Sequence, residues 1–262
     1  MSCEWIKAEK NEDGTVQLTL ARPEKRNALN KEMITAINEH LLQWYEDDSI
    51  RLLSIDAEGR FFSAGADLKW MQQSANATFN ENMADAQLLG TLYELLYHFP
   101  KPVICMVNGP AYGGALGIVA ASDIVICTPS ALFCLSEVKL GLIPAVISPY
   151  LVEAIGLQQA RRFALSAELI SAEKAHDIGL VHKITEQENF LTRKKELEKQ
   201  LYKGSPDAQA QTKALLRYVH GKPIDKNLIQ HTIETIAQAR TQPSGKEGIS
   251  AFLEKRKPDW EL

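Results

Sequence analysis

The sequence predicts an α/β fold whose C-terminal part turns helical, and three features carry that expectation. Apolar runs at strand spacing alternate with amphipathic helices as far as Pro149, the pattern of parallel strands joined by crossover helices. Val103 to Ser122 contains no charged residue, yet Asn108, Pro110 and four glycines interrupt it. A buried strand, a glycine turn and a buried helix explain such a run better than a membrane span. Beyond Pro149 the periodicity is helical nearly throughout, and only Leu180 to Ile184 reads as a strand.

Each element has its own signal. Val16, Leu18 and Leu20 alternate with polar neighbours between Thr15 and Ala21, as in a half-buried strand, and Arg22-Pro23 ends it. Asn30 offers an N-cap to a helix carrying Met33, Ile34, Ile37, Leu41 and Tyr45 at helical spacing. Arg51 to Ala57 and Val103 to Val107 are expected as strands, with a helix over Phe79 to Phe99 between them. Asp123 to Cys127 and Leu132 to Leu135 are further short strands. Helices are then expected over Tyr150 to Leu165, Ala172 to Ile178, Gln187 to Tyr202, Asp207 to Val219, Asp225 to Ala239 and Lys246 to Lys255.

Composition narrows the function classes. With 262 residues, 45% of them hydrophobic and 24% charged, the chain has the make-up of a globular protein. A formal net charge of −4 argues against nucleic acid or an anionic membrane as the main partner. The basic cluster Arg193-Lys194-Lys195 lies among glutamates and reads as a solvated helix face. Cys3, Cys105, Cys127 and Cys134 lack metal-ligand spacing; three lie in apolar, strand-like stretches that suit reduced, buried thiols, and the cytoplasm or an organelle matrix fits them. The stretch Met1 to Lys10 has no apolar core of the kind a secretory signal needs. No dinucleotide fingerprint, P-loop or serine-hydrolase elbow is present, and the scattered histidines give no metal site.

Two small-residue turns and one carboxylate remain. Ser63-Ala64-Gly65-Ala66 leaves its backbone bare, so a ligand could approach its N–H groups closely. Asn108 to Gly117 runs through Gly113-Gly114 into an apolar helix, whose first amides favour negative charge. The two turns could converge on one oxygen as an oxyanion hole, or each could be a tight turn with packing glycines. Glu137 sits between apolar, strand-like runs. Buried, it would have a raised pKa suited to proton transfer; alternatively it pairs with Lys139 on one strand face.

Taken in order, these segments resemble the crotonase superfamily of enoyl-CoA hydratases and isomerases. They are Arg22-Pro23-x-Lys25-Arg26-Asn27-Ala28-Leu29-Asn30, Ser63 to Leu68, Asn108-Gly109-x-Ala111-x-Gly113-Gly114, Asp123-Ile124 and Glu137-x-Lys139-Leu140-Gly141-Leu142-Ile143-Pro144. Glu247-Gly248-x-x-Ala251-Phe252-x-Glu254-Lys255-Arg256-x-Pro258-x-Trp260 is similar to the superfamily's tail. The resemblance implies a crotonase-like spiral of ββα units over residues 1–200 and a helical oligomerisation region over 201–262, assembling as homotrimers or homohexamers. It implies an acyl-CoA thioester as substrate, with no separate cofactor and no metal. Ala66 and Gly114 would donate N–H groups to the thioester oxygen, and Glu137 would exchange the proton. Ala64 would meet the adenine, and Lys25, Arg26, Ala28, Asp67, Leu68 and Lys69 would lie along the CoA.

One position departs from the pattern. Hydratases with paired carboxylates carry a second glutamate where this chain has Gly117. A single glutamate is what some enoyl-CoA isomerases use, and a CoA-binding scaffold without activity is a further alternative. Against this, Ser136-Glu137-Val138-Lys139 with Gly141 to Tyr150 resembles a bacterial branch of methylglutaconyl-CoA and related hydratases of leucine or isoprenoid breakdown. That local match favours a hydratase.

Overall fold

The structure, a computed structural model, describes residues 3–261. Met1 and Ser2, part of the stretch inspected for a signal, lie outside the described residues.

The chain opens with a hairpin of β1 (Ile6–Lys10) and β2 (Thr15–Leu20), paired antiparallel. Sequence periodicity did not announce β1, because only Ile6 of its five residues is buried. In β2, Val16, Leu18 and Leu20 all point into the core. Helix α1 (Lys31–Tyr45) starts where Asn30 accepts a hydrogen bond from Met33 N–H, and leads to β3 (Leu52–Ala57). Two helices follow, α2 (Leu68–Ala75), capped by Asp67, and α3 (Phe79–His98), opened by a Thr78–Glu81 capping box.

The charge-free run resolves as expected into a wholly buried β4 (Val103–Val107), a short β5 (Ala111–Tyr112) and α4 (Ala115–Ala120). Next come β6 (Ile124–Cys127), β7 (Leu132–Cys134), α5 (Ser148–Ser166, interrupted at Gly156), β8 (Ile170–Ser171), α6 (Ala172–Asp177), β9 (Lys183–Ile184) and α7 (Phe190–Leu201). The last helices are α8 (Pro206–Val219), α9 (Lys226–Thr241) and α10 (Pro243–Glu254).

Among the described residues the strands form a six-stranded sheet, β1-β2-β3-β4-β6-β9, and a three-stranded one, β5-β7-β8. From β2 onward the larger sheet is parallel, as the alternation of strand and helix predicts. His182 belongs to this framework: its Nδ1 accepts from Val125 N–H at 3.0 Å. The cysteines are free, three of them buried. Among the described residues no helix is long and apolar enough to cross a membrane.

One charged residue contradicts its sequence reading. Lys194 is not on a solvated face but only 7% exposed, and its Nζ donates to Gln17 Oε1 at 2.7 Å. Gln17 in turn donates to Asp56, which also accepts from Thr19 at 2.6 Å. Mixed charge in the sequence hid a lysine that ties α7 to the outer face of β2 and β3.

By its internal contacts the described chain divides into residues 3–99 with 103–194, and residues 100–102 with 195–261. The first unit holds both sheets and the apolar core. The second holds α8, α9 and α10, and there the tail motif closes on itself. Arg256 donates to both carboxylate oxygens of Glu247 at 2.6 and 2.8 Å, and Trp260 Nε1 donates to the Lys203 carbonyl. The Trp260 ring lies 3.0 Å from where a Cβ on Gly248 would stand.

Candidate active site

Three backbone segments are knitted into one wall. Leu29 N–H donates to the Gly65 carbonyl at 2.7 Å, and Asp67 N–H donates to the Leu29 carbonyl at 2.8 Å. Ser63 N–H reaches the Pro110 carbonyl, and Tyr112 N–H returns to the Ser63 carbonyl at 3.0 Å. This pairing presses the turns together at Gly65. With φ +88° and a would-be Cβ 2.8 Å from the Tyr112 carbonyl oxygen, that position requires glycine. Nearly every amide here is used, yet the N–H groups of Ala66 and Gly114 meet no acceptor among the described residues. Since α4 has only six residues, what Gly114 offers is chiefly its own N–H rather than a long helix dipole.

Both residues line a cavity of about 190 Å³ together with Glu137. Glu137, which the sequence sets between strand-like runs, opens a 3-10 turn, Glu137–Leu140, closed by Gly141 at φ 72°. That geometry removes the alternative pairing, because Lys139 turns away and donates to the Ala167 carbonyl at 2.7 Å. Glu137 Oε2 is buried with no hydrogen-bond partner among the described residues. Burial accordingly lifts its carboxyl above the usual carboxylate range. Two unpaired donors and one unpaired carboxylate oxygen therefore share a small, largely apolar space.

The space beside Gly117 is filled. A Cβ built there would lie 2.5 and 2.6 Å from Cε1 and Cζ of Tyr93, and 2.7 Å from Ile147 Cγ2. Tyr93 is fully buried on α3 and lines the same cavity; its hydroxyl donates to the Gly114 carbonyl at 2.8 Å. Burial, and secondarily the Glu137 charge, hold its phenol well above the ordinary range, so it stays protonated. Gly117 is a glycine because an aromatic ring needs its room.

A family model described as enoyl-CoA hydratase/isomerase matches residues 10–262. The chain belongs to that family. The crotonase-superfamily resemblance and fold expected from the motifs are thereby confirmed. An enoyl-CoA hydratase structure from Shewanella pealeana superposes with a TM-score of 0.95 at 42% identity, covering 98% of this chain and 96% of that one. The 2,3-dehydroadipyl-CoA hydratase of Escherichia coli K12 is 34% identical over 93% of each chain. The 1,2-epoxyphenylacetyl-CoA isomerase of the same strain is 32% identical over 95% of each.

On this crotonase scaffold the remaining sequence candidates fall into three groups by exposure. Lys25, Arg26, Leu68 and Lys69 are exposed, Leu68 at 77%. Ala64 is half-buried with its N–H donated to the Arg26 carbonyl at 2.9 Å, so only its carbonyl is left to meet a ligand. Ala28 and Asp67 are buried. Asp67 caps α2 by accepting from Lys69 and Trp70 N–H, and takes Arg22 Nη1 at 2.7 Å. Its carboxylate braces the loop that carries Ala66. Sequence reasoning missed Tyr93; the signal was Gly117 itself, since a glycine inside a short buried helix implies a bulky neighbour.

Proposed function

We propose that this protein is an enoyl-CoA hydratase that adds water across the double bond of a 2-enoyl-CoA thioester. The observation that carries this is the pair of unpartnered amides, Ala66 and Gly114, facing one cavity with the unpaired carboxylate of Glu137. The thioester oxygen sits between the two N–H groups. Glu137 takes a proton from water as the water oxygen bonds to the β-carbon, and the π electrons move onto the thioester oxygen as an enolate. The two amides stabilise that charge. Protonated Glu137 then gives its proton to the α-carbon, the enolate collapses to the thioester, and water has been added with Glu137 restored.

A second, larger cavity of about 610 Å³ adjoins this one through shared Ala66, Trp70, Leu89 and Val146. Its size favours an acyl group longer or more branched than crotonyl, the methylglutaconyl type included. Sequence likeness to the Shewanella pealeana hydratase supports water addition. One observation favours a second reading: Tyr93 fills the room of a second carboxylate, and a lone acid suits proton shuttling between carbons in an isomerase. Assaying short, branched and carboxylated 2-enoyl-CoAs beside a 3-enoyl-CoA separates the two. Loss of the enoyl-thioester absorbance band supports the hydratase; migration of the 3-enoyl double bond without any water addition supports the isomerase. The free cysteines fit a cytoplasmic setting.

A further inference from the structure

Tyr93 has one hydroxyl proton, and that proton is committed to the Gly114 carbonyl at 2.8 Å. A phenol oxygen that has donated its hydrogen still has lone pairs to accept with. This oxygen lies 3.0 Å from the would-be Cβ of Gly114, and Tyr93 is one of the residues lining the cavity that Glu137 enters. The ring occupies the volume where a second carboxylate would project from position 117. A nucleophilic water needs two acceptors to fix its orientation, and Glu137 supplies only one.

We infer that Tyr93 is the positioning residue for the attacking water, accepting one of its O–H bonds on Oη while Glu137 accepts the other. This rests on the hydratase reading above and deepens it. The water then presents a lone pair to the β-carbon. On attack, the hydrogen facing Glu137 is transferred, and the hydrogen facing Tyr93 stays as the hydroxyl of the product. Tyr93 itself neither gains nor loses a proton, which accords with its burial.

The test is Tyr93→Phe, which keeps the ring in place beside Gly117. Two readouts are needed: kcat and KM for hydration, and the carbonyl stretch of a bound, unreactive saturated acyl-CoA in isotope-edited infrared spectra. Water positioning predicts kcat lower by roughly 10²-fold, with KM and the carbonyl stretch as in the wild type. Hydration within twofold of the wild type overturns the inference. So does a loss of kcat accompanied by a carbonyl stretch shifted toward that of free thioester, because Tyr93 would then act only by bracing Gly114. A wild type that hydrates no 2-enoyl-CoA removes the hydratase reading, and the inference with it, before the variant is made.

Discussion

At the scale of single residues, Glu137 is the proposed acid–base group, and burial sets its behaviour. Because burial raises its carboxyl, the folded state holds the proton more tightly than the unfolded chain does. Stability from this group is present below the ordinary value of 4.5 and lost as pH rises through the raised one. Glu137→Gln removes a buried charge, so its Tm at neutral pH should exceed that of the wild type, and the gap should close on acidification. A wild type that melts higher at neutral pH would contradict this. Activity runs the other way: kcat/KM should fall on the acid side around a pKa above 4.5, as the base becomes protonated. Gly117 gives a second prediction. Any Cβ there meets Tyr93 at 2.5 Å, so Gly117→Glu should cost about 1–3 kcal/mol by overpacking, measured by urea unfolding, rather than restore a second acid. Glu137, Ala66 and Gly114 were legible because motif residues announced them. Tyr93 was not, since a tyrosine among leucines on α3 has the same spacing as any core residue.

At the scale of elements, the strands and helices with strong periodicity were legible, and those held by few contacts were not. Val16, Leu18 and Leu20 marked β2, and Asn30 marked the start of α1. By contrast β1, β5 and β8 are pairing events with little apolar pattern of their own. Lys194 shows the same limit for charge: neighbouring glutamates suggested a wet face, while the fold turns this one side chain toward Gln17 and Asp56. Truncating it leaves the Gln17 side-chain oxygen unpaired and strips a counter-charge from half-buried Asp56. Lys194→Ala should therefore lose roughly 1–3 kcal/mol, whereas the exposed Lys195→Ala should change stability by no more than about 0.5 kcal/mol. Equal effects in denaturant melts would show that the part-buried network is not what stabilises these strands.

At the scale of the whole molecule, apolar surface remains uncovered. On α9, Ile229, Ile233 and Ile236 share one face and are exposed, and on α10 Phe252 is 82% exposed with Leu253 beside it. Trp260 folds over Gly248 within its own unit and adds nothing to that surface. Exposed patches of this kind call for a partner, and a second and third copy of the chain are the proposed one. The protein should sediment as a trimer or hexamer at micromolar concentration; a stable monomer would refute the proposal. The central claim, that one carboxylate and two amides add water to an enoyl thioester, is tested most directly by hydration kinetics of Glu137→Gln against the wild type, with thioester binding measured alongside. The account predicts a kcat lower by about 10²–10⁴-fold with acyl-CoA affinity retained. A variant that keeps most of its hydration rate would contradict it.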